Sequence, residues 1–469
     1  MSAAAAGAGA GAAAVDAAAA AAGGAGGAAS VSSMLGGFEH GLVKFIVAGY
    51  GARGSTYSVY AMENPDRARV IAYADPIESR RAVACTEHPH ARAFDSWQDM
   101  IRDDAVLDEA DFVIIATQDQ DHIEPAKAFA VHPSELAILL EKPMAASKED
   151  CIELSRSLEH SFFAVCHVLN YMPIVRKAKE IIKTAKLGAP TGFAHFEPVG
   201  HTHFSHSYVR GAWGNSKRST PILVAKCSHD FALLMHLLND SIRHVTSSGT
   251  IRHFRKERKP VAAGGAMKCA ECPARDSCLF DAVSIYADPV AAGTSTFYSR
   301  KLGIGRAGTI EDAHRVLATT QLGTCVYECD NDQPDHIVTT LIMKSGIAGT
   351  LTMSAFSDEI CTRHTTIVFE RGLLQINFNT GIITLKRFMR PDGAIVKSQI
   401  IPNLGPESGT RMLGHGGADW YLMNAFCAAV DTRDHGMLAS DNTSSLQAHV
   451  AAYLASMSQH NGGQGYFIN

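Results

Sequence analysis

The feature that most constrains this chain is GYGARG at 49–54, set directly behind the apolar run VKFIVA at 43–48. In a chain with 40 glycines, G-x-G-x-x-G is a loose pattern, so its meaning depends on its flanks. Here a strand precedes it, helical residues from about Ser55 to Asn64 follow, and a second strand, ARVIAYADP, carries Asp75 at its tip, 26 residues beyond Gly49. Strand, glycine turn, helix, strand and terminal acid are the parts of a dinucleotide-binding βαβ unit. In such a unit Gly49, Gly51 and Gly54 carry the cofactor loop. Gly51 lets backbone approach a pyrophosphate, Gly54 lets helix and strand pack closely, and the helix start offers free amides to an anion. Asp75 would accept hydrogen bonds from the adenosine ribose and favour NAD over NADP. Arg53, Arg80 and Arg81 lie near enough in sequence to offset that preference.

The same alternation continues. SWQDMIRDD reads as a short helix, DFVIIATQ as a strand buried on both faces, and His122 to about Val131 as a helix. LAILLEKP is a strand ending at Glu141-Lys142-Pro143, and KEDCIELSRSLEH with FFAVCHVL completes the pattern near residue 169. This predicts a Rossmann-type α/β domain over 41–170, a doubly wound parallel sheet. Ligands sit at the carboxyl ends of such strands, where Thr117, Glu141 and Lys142 fall, with His122 just beyond. From Tyr171 the rhythm changes to one helix, VRKAKEIIKTAK, and then long strands: DHIVTTLIMKS, IAGTLTMSAF, HTTIVFER and two near Leu373 and Ile382. Residues 171–469 therefore read as an α+β domain with a large, mainly antiparallel open sheet, interrupted by a cysteine-containing insertion at 255–335. The stretches ADWYLMNAFCAAVDTRD and SLQAHVAAYLASMS read as closing helices.

Charge and composition narrow the partners. The 42 basic against 47 acidic residues give a net charge of -5, which argues against a nucleic-acid footprint; the local cluster IRHFRKERKP reads as a solvated loop or helix end. Residues 1–40 are dominated by alanine and glycine and read as a disordered tail. With no Lys or Arg before Lys44, the positive region of a cleaved targeting segment is missing, and no later run of about 18 uncharged apolar residues would span a bilayer. The expectation is a soluble, cytoplasmic protein whose eleven cysteines are reduced thiols or metal ligands.

GYGARG after the first strand, ADP at the end of the second, ATQDQDH after the fourth and EKP after the fifth, followed by a mainly β domain, resemble the glucose-fructose oxidoreductase, inositol dehydrogenase and rhizopine catabolism family, Gfo/Idh/MocA. The similarity runs from about 42 to 460. It implies a nicotinamide cofactor on the first domain, a pocket facing the second domain's sheet, hydride transfer to or from a sugar, cyclitol or related polyol, and a homo-oligomer assembled through that sheet. Two other readings remain open: a glycosidase that uses transient oxidation by NAD, and a non-catalytic nicotinamide-binding regulator.

The resemblance also implies roles. Lys142 matches the lysine of EKP, which contacts the reacting oxygen; the alternative is a surface lysine at a strand end. In KCSHDFALLMHLL, Lys226, His229 and Asp230 stand at i, i+3 and i+4, one face of a helix. His229 matches the family's acid/base histidine, but the aspartate often found four residues earlier is Ala225 here, so Lys226 or Asp230 would have to assist. HTHFSHSYVRGAWGNSKRS reads as a substrate loop presenting His201, His203, His206, Tyr208, Arg210 and Trp213. His195 and His449 lie outside these motifs. Finally, Cys269-x2-Cys272-x5-Cys278 with Cys325 or Cys329 has spacing suited to a structural zinc or, less readily, an iron-sulfur cluster; the alternative is a set of free thiols.

Overall fold

A computed structural model describes residues 41–294, 298–304, 308–388, 397–400, 410–412 and 414–468. The alanine- and glycine-rich tail lies outside the described residues.

The first sheet contains β1 (Val43–Ala48), β2 (Ala68–Ala74), β3 (Arg92–Phe94), β4 (Phe112–Ile115), β5 (Ala137–Leu140) and β6 (Phe163–Val165). Its order is β3-β2-β1-β4-β5-β6, and every neighbouring pair is parallel. The two halves of the sheet diverge between β1 and β4, which opens a crevice at their carboxyl ends. All four residues of β4 and of β5 are buried, as expected for strands covered by helices on both faces. Stacked Phe45 and Phe112 rings lie in this core, 4.8 Å between centroids.

The second sheet has nine strands: β7 (Pro190–Pro198), β8 (Ile242–Thr250), β9 (His336–Met343), β10 (Ala348–Ser354), β11 (His364–Phe369), β12 (Gly372–Asn377), β13 (Ile382–Arg387), β14 (Lys397–Ile400) and β15 (Tyr466–Phe467). They run in the order β14-β13-β12-β11-β7-β10-β9-β8-β15, antiparallel except for the β7–β10 pair. The alternation of buried and open positions along β9 leaves one face against the core and one open. The long helix Asn442–His460 lies against β8, where the Ser458 hydroxyl accepts from the Ser247 amide at 2.8 Å.

Three local readings need correction. The nucleotide-side helix starts at Ala52, immediately after Gly51, rather than at Ser55. The 201–210 stretch is helical, a turn at His201–Phe204 continuing into a wider helical turn at Ser205–Arg210, so it is no loop. The helix carrying His229 begins at Ser228, so Lys226 precedes it and does not share its face. In addition, β7, the strand at the heart of the second sheet, begins PTG and escapes a propensity reading, because its partners on both sides supply the order its sequence lacks. Among the described residues no helix is long and apolar enough to cross a membrane.

Candidate functional site

The glycine turn is built by contacts that exclude side chains. Gly49 has φ +95°, and a Cβ there would lie 2.5 Å from the Ala116 carbonyl oxygen at the end of β4. A Cβ at Gly54 would lie 2.0 Å from the Gly49 oxygen. Gly51 differs: its nearest neighbour would be Arg80 Nη1 at 3.7 Å, so its outer side is open to a ligand. It is also the residue before the helix, and no side chain caps the amides there. A cradle that a Cβ would close, facing uncapped amides, fits the pyrophosphate of a dinucleotide. Asp75 is buried at the tip of β2, where Oδ2 accepts from the Tyr50 amide and Oδ1 from the Ile77 amide, both at 2.9 Å. Arg80 lies 3.4 Å from the same carboxylate, and Arg81 donates to the Asp75 carbonyl at 2.7 Å.

Arg53 and Glu141, both expected to touch the cofactor, face each other instead. Arg53 Nε donates to Glu141 Oε1 at 2.6 Å and Nη2 to Asp419 Oδ1 at 2.6 Å, while Tyr57 donates to the same Glu141 oxygen at 2.5 Å. Glu141 Oε2 accepts from the Lys142 amide at 2.7 Å. Burial raises the cost of these charges, but Arg53 and then Lys142 keep Glu141 below the usual carboxylate range. The glycine turn, the end of β5 and the helix Ala418–Thr432 are thus tied by one buried ion network. Thr117 donates to the Asp121 carbonyl at 2.9 Å, and His122 Nδ1 lies 2.7 Å from the Pro143 carbonyl, beside the cis Lys142–Pro143 peptide.

Lys142 projects from the end of β5, and its Nζ donates to the carbonyl of Ala225 at 2.8 Å. Burial pushes its pKa down, against the pull of Glu141 and Asp119. Near it stand His229 and His167, and the His229 ring lies 5.8 Å from that of His167 and, beyond it, 5.9 Å from that of His415. Burial, then Lys142, holds His229 neutral, well below the ordinary histidine range. His229 Nδ1 has no hydrogen-bond partner. Neither expected helper orients it. The carboxylate of Asp230 accepts from Arg363 at 2.6 Å and lies 3.0 Å from His195 Nε2. Lys226 Nζ lies 2.7 Å from Cys361 Sγ and 3.6 Å from Glu197. Both bonds fall on Oδ1 of Asp230, and no hydrogen bond joins this carboxylate to His229. His195 is therefore part of a buried ionic cluster rather than a bystander, and His449 is equally engaged, its Nε2 accepting from the Met144 amide at 2.9 Å.

The 201–213 residues divide between two places. Burial and then Lys226 depress the pKa of His203 strongly, and its ring lies 6.2 Å from that of Tyr208. Trp213 Nε1 donates to Asp119 Oδ2 at 2.8 Å, beyond the end of β4. Tyr208 is buried, with its ring 5.5 Å from that of Phe204. His206 and Arg210 point away, into the cysteine segment. His206 Nδ1 lies 2.8 Å from the Tyr286 hydroxyl. Arg210 is 2% exposed and donates to the carbonyls of Thr324 (2.7 Å) and Phe280 (2.6 Å) and to Cys269 Sγ (3.3 Å). Its role is that of a staple, not of a substrate contact.

The five cysteines do not form a metal centre in this structure. Among the described residues no three His, Cys, Asp or Glu side chains are placed to hold a metal ion. A bridge between Lys268 and Thr324 does bring the two cysteine stretches together, and Cys269, Cys272, Cys278 and Cys325 line one cavity of about 250 Å³. Their thiols have other neighbours, however: the guanidinium of Arg210 stands 3.3 Å from Cys269 Sγ, and Cys329 Sγ donates to the Cys325 carbonyl at 3.4 Å. The zinc expectation thus finds no support among the described residues, and none of these cysteines is in a disulfide.

Two histidines of the cleft escaped the sequence reading. His167 follows β6 with no motif to mark it, and His415 lies in GHGG, just before the closing helix, where its spacing of four from Asp419 was the available signal.

Comparison with known proteins bears on this arrangement. Residues 43–186 match the family described as oxidoreductase family, NAD-binding Rossmann fold, GFO_IDH_MocA. An uncharacterized oxidoreductase of Streptococcus pneumoniae is 31% identical over 149 residues, 31% of this chain and 38% of that protein. The 2,7-anhydro-N-acetylneuraminate hydratase of Mediterraneibacter gnavus is 31% identical over 133 residues, 27% of this chain and 32% of its own. The matches thus span less than two fifths of either curated relative. Among solved structures, levoglucosan dehydrogenase in complex with NADH and levoglucosan superposes with a TM-score of 0.65 at 13% identity, covering 91% of this chain and 99% of that one. That likeness shows a shared fold extending through the second sheet. Over residues 43–186 this chain is therefore similar to the NAD-binding Rossmann domain of the GFO_IDH_MocA oxidoreductase family.

Proposed function

We propose that this protein is a nicotinamide-dependent oxidoreductase of a sugar, cyclitol or related polyol. The observation that carries the reading is the position of Lys142: a buried ammonium at the end of β5, on the strand that shares the Glu141–Arg53 network with the glycine turn, with the neutral His229 and His167 near it. The bound cofactor would supply the hydride acceptor or donor. Gly49, Gly51 and Gly54 would hold its pyrophosphate and Asp75 its ribose. Lys142 would hold the substrate oxygen whose charge grows as the carbon–hydrogen bond breaks, as a preorganised cation can. His229 and His203 lie near Lys142, and Trp213, anchored on Asp119, supplies an aromatic wall.

NAD is the favoured form. Asp75 is a buried carboxylate that repels a 2'-phosphate, Arg53 is committed to Glu141 and Asp419, Arg80 stands 3.4 Å from the acid, and Arg81 is bound to the Asp75 carbonyl and to Asp95. The hydratase among the relatives supports a second reading, in which oxidation is transient and no net redox change accumulates. A panel of polyols, free sugars and aryl glycosides with NAD and NADP tests both. Net NADH formation supports the dehydrogenase, and cleavage of aryl glycosides that needs NAD without consuming it supports the alternative. A protein that binds neither dinucleotide would end the proposal.

A further inference from the structure

Oxidising a carbinol requires a base for the hydroxyl proton, and His229 is poorly equipped to be that base. Its Nδ1 has no partner, the position of the family's assisting aspartate is Ala225, and the neighbouring carboxylate of Asp230 is bound by Arg363 and His195. An imidazole without an acceptor on one nitrogen has neither a fixed tautomer nor a counter-charge for its protonated form.

Another histidine of the cleft has both. His415 occupies a turn in which three successive residues are left-handed: His415 itself (φ 52°), Gly416 (φ 64°) and Gly417 (φ 83°). A non-glycine residue is strained in that region, so surrounding structure must hold it there. The preceding glycine shows what does: a Cβ on Gly414 would lie 2.5 Å from Asp419 Oδ2. The turn is folded tightly onto Asp419, which leaves His415 Nδ1 3.5 Å from that oxygen. Asp419 is fully buried. Burial works against its charge, but Arg53 and then His415 hold it far below the usual carboxylate range. The imidazole lies 5.9 Å from that of His229, and its side chain is 34% exposed, while that of Asp419 is 0% exposed.

Resting on the function proposed above, we infer that His415, carried by Asp419, is the group that exchanges the substrate's hydroxyl proton, and that His229 lines the site beside it. Asp419 accepts from Nδ1–H and so presents Nε2 as an acceptor. As the carbinol carbon gives up its hydride to the cofactor, the substrate O–H bond breaks and an N–H bond forms at Nε2. The carbinol becomes a carbonyl, and the proton leaves His415 for water through the exposed edge of the ring. Because Asp419 also binds Arg53 of the glycine turn, the base is tied to the loop that would hold the cofactor.

The test uses the full chain and two readouts. With a substrate from the panel, His415→Gln should lower turnover by about 10²–10⁴, with the NADH dissociation constant from fluorescence titration unchanged, while His229→Gln loses less than about tenfold. Independently of activity, ¹⁵N NMR of the free protein should show His415 as the Nδ1–H tautomer, and Asp419→Asn should abolish that preference. Near-normal turnover in His415→Gln alongside collapse in His229→Gln overturns the inference, as does an Nε2–H tautomer in the wild type. If wild-type protein binds no dinucleotide and oxidises nothing, the reading of function fails first, before any variant is compared, and this inference falls with it.

Discussion

In the turn between β1 and its helix, each of three closely spaced glycines has a distinct steric duty: Gly49 against Ala116, Gly54 against Gly49, and Gly51 kept open to the outside. In the cysteine segment, Cys269, Cys272, Cys278 and Cys325 line a shared cavity, yet Arg210 stands 3.3 Å from Cys269 and among the described residues no ligand set closes. The difference teaches that a spaced motif becomes a site when its members act on one another through the local chain. When its members must be brought together from distant segments, other side chains compete for the same space.

The sharpest way to break that contrast is at Gly54. Gly54→Ala should destabilise the protein by about 3 kcal/mol or more, because the new Cβ meets backbone that cannot yield, and NADH binding should disappear in a fluorescence titration. Gly51→Ala sharpens it: with only the flexible Arg80 nearby, the melting temperature should stay within about 2 °C of wild type while dinucleotide affinity falls at least about tenfold. Equal thermal losses in both variants would mean that Gly51 is not kept for a ligand.

In the cysteine segment the large effect belongs to the arginine. Arg210→Met removes a donor from two buried carbonyls and a thiol and should cost roughly 3 kcal/mol, read as a lower midpoint in urea. Turnover per folded molecule should be unchanged.

A smaller effect separates the histidine-rich cleft from both regions. Burial pushes His449 from the ordinary 6.5 down to about 4, and holds His229 and His167 well below the ordinary value. The unfolded chain takes up protons on these rings below pH 6.5 while the folded protein does not, so their contribution is complete above that pH and is lost as pH falls toward 4. The melting temperature of the apoprotein should drop by roughly 5 °C or more between pH 7 and pH 5. A flat profile would show that these rings are hydrated or paired.

The smallest effect is expected from metal removal. A chelator should shift the melting temperature by less than about 1 °C, in contrast to a folded structural zinc site, whose binding energy is folding energy. A drop of many degrees, with zinc found by elemental analysis, would restore the cysteine motif as a metal centre.

The parts of the molecule legible in the sequence are those whose physics is local. The βαβ unit, the acid at Asp75 and the cation at Lys142 follow from an apolar run, a glycine turn and a strand end within short reach of one another. The second sheet's later strands were readable from alternating residues in β9, β10 and β11, but β7 was not, since its PTG start has low strand propensity and only pairing with β10 and β11 makes it a strand. Asp230 is the clearest miss. Its neighbour in sequence is His229, yet its partners are Arg363 and His195, contributed by segments on the far sheet.

By itself, then, the sequence determined the alternating α/β pattern and parallel sheet of the first domain, the place of its glycines and the residue at the end of β5, because hydrophobic period, backbone freedom and strand-end chemistry act within a few residues. Tertiary structure alone decided which charge meets which. Arg53 is bound by Glu141 and Asp419 rather than freed for a phosphate, Asp419 rather than Asp230 stands beside a cleft histidine, and Arg210 stands beside Cys269, which was expected to hold a metal. A buried charge must find its counterpart within a few ångströms, and distance along the chain places no limit on where that counterpart comes from.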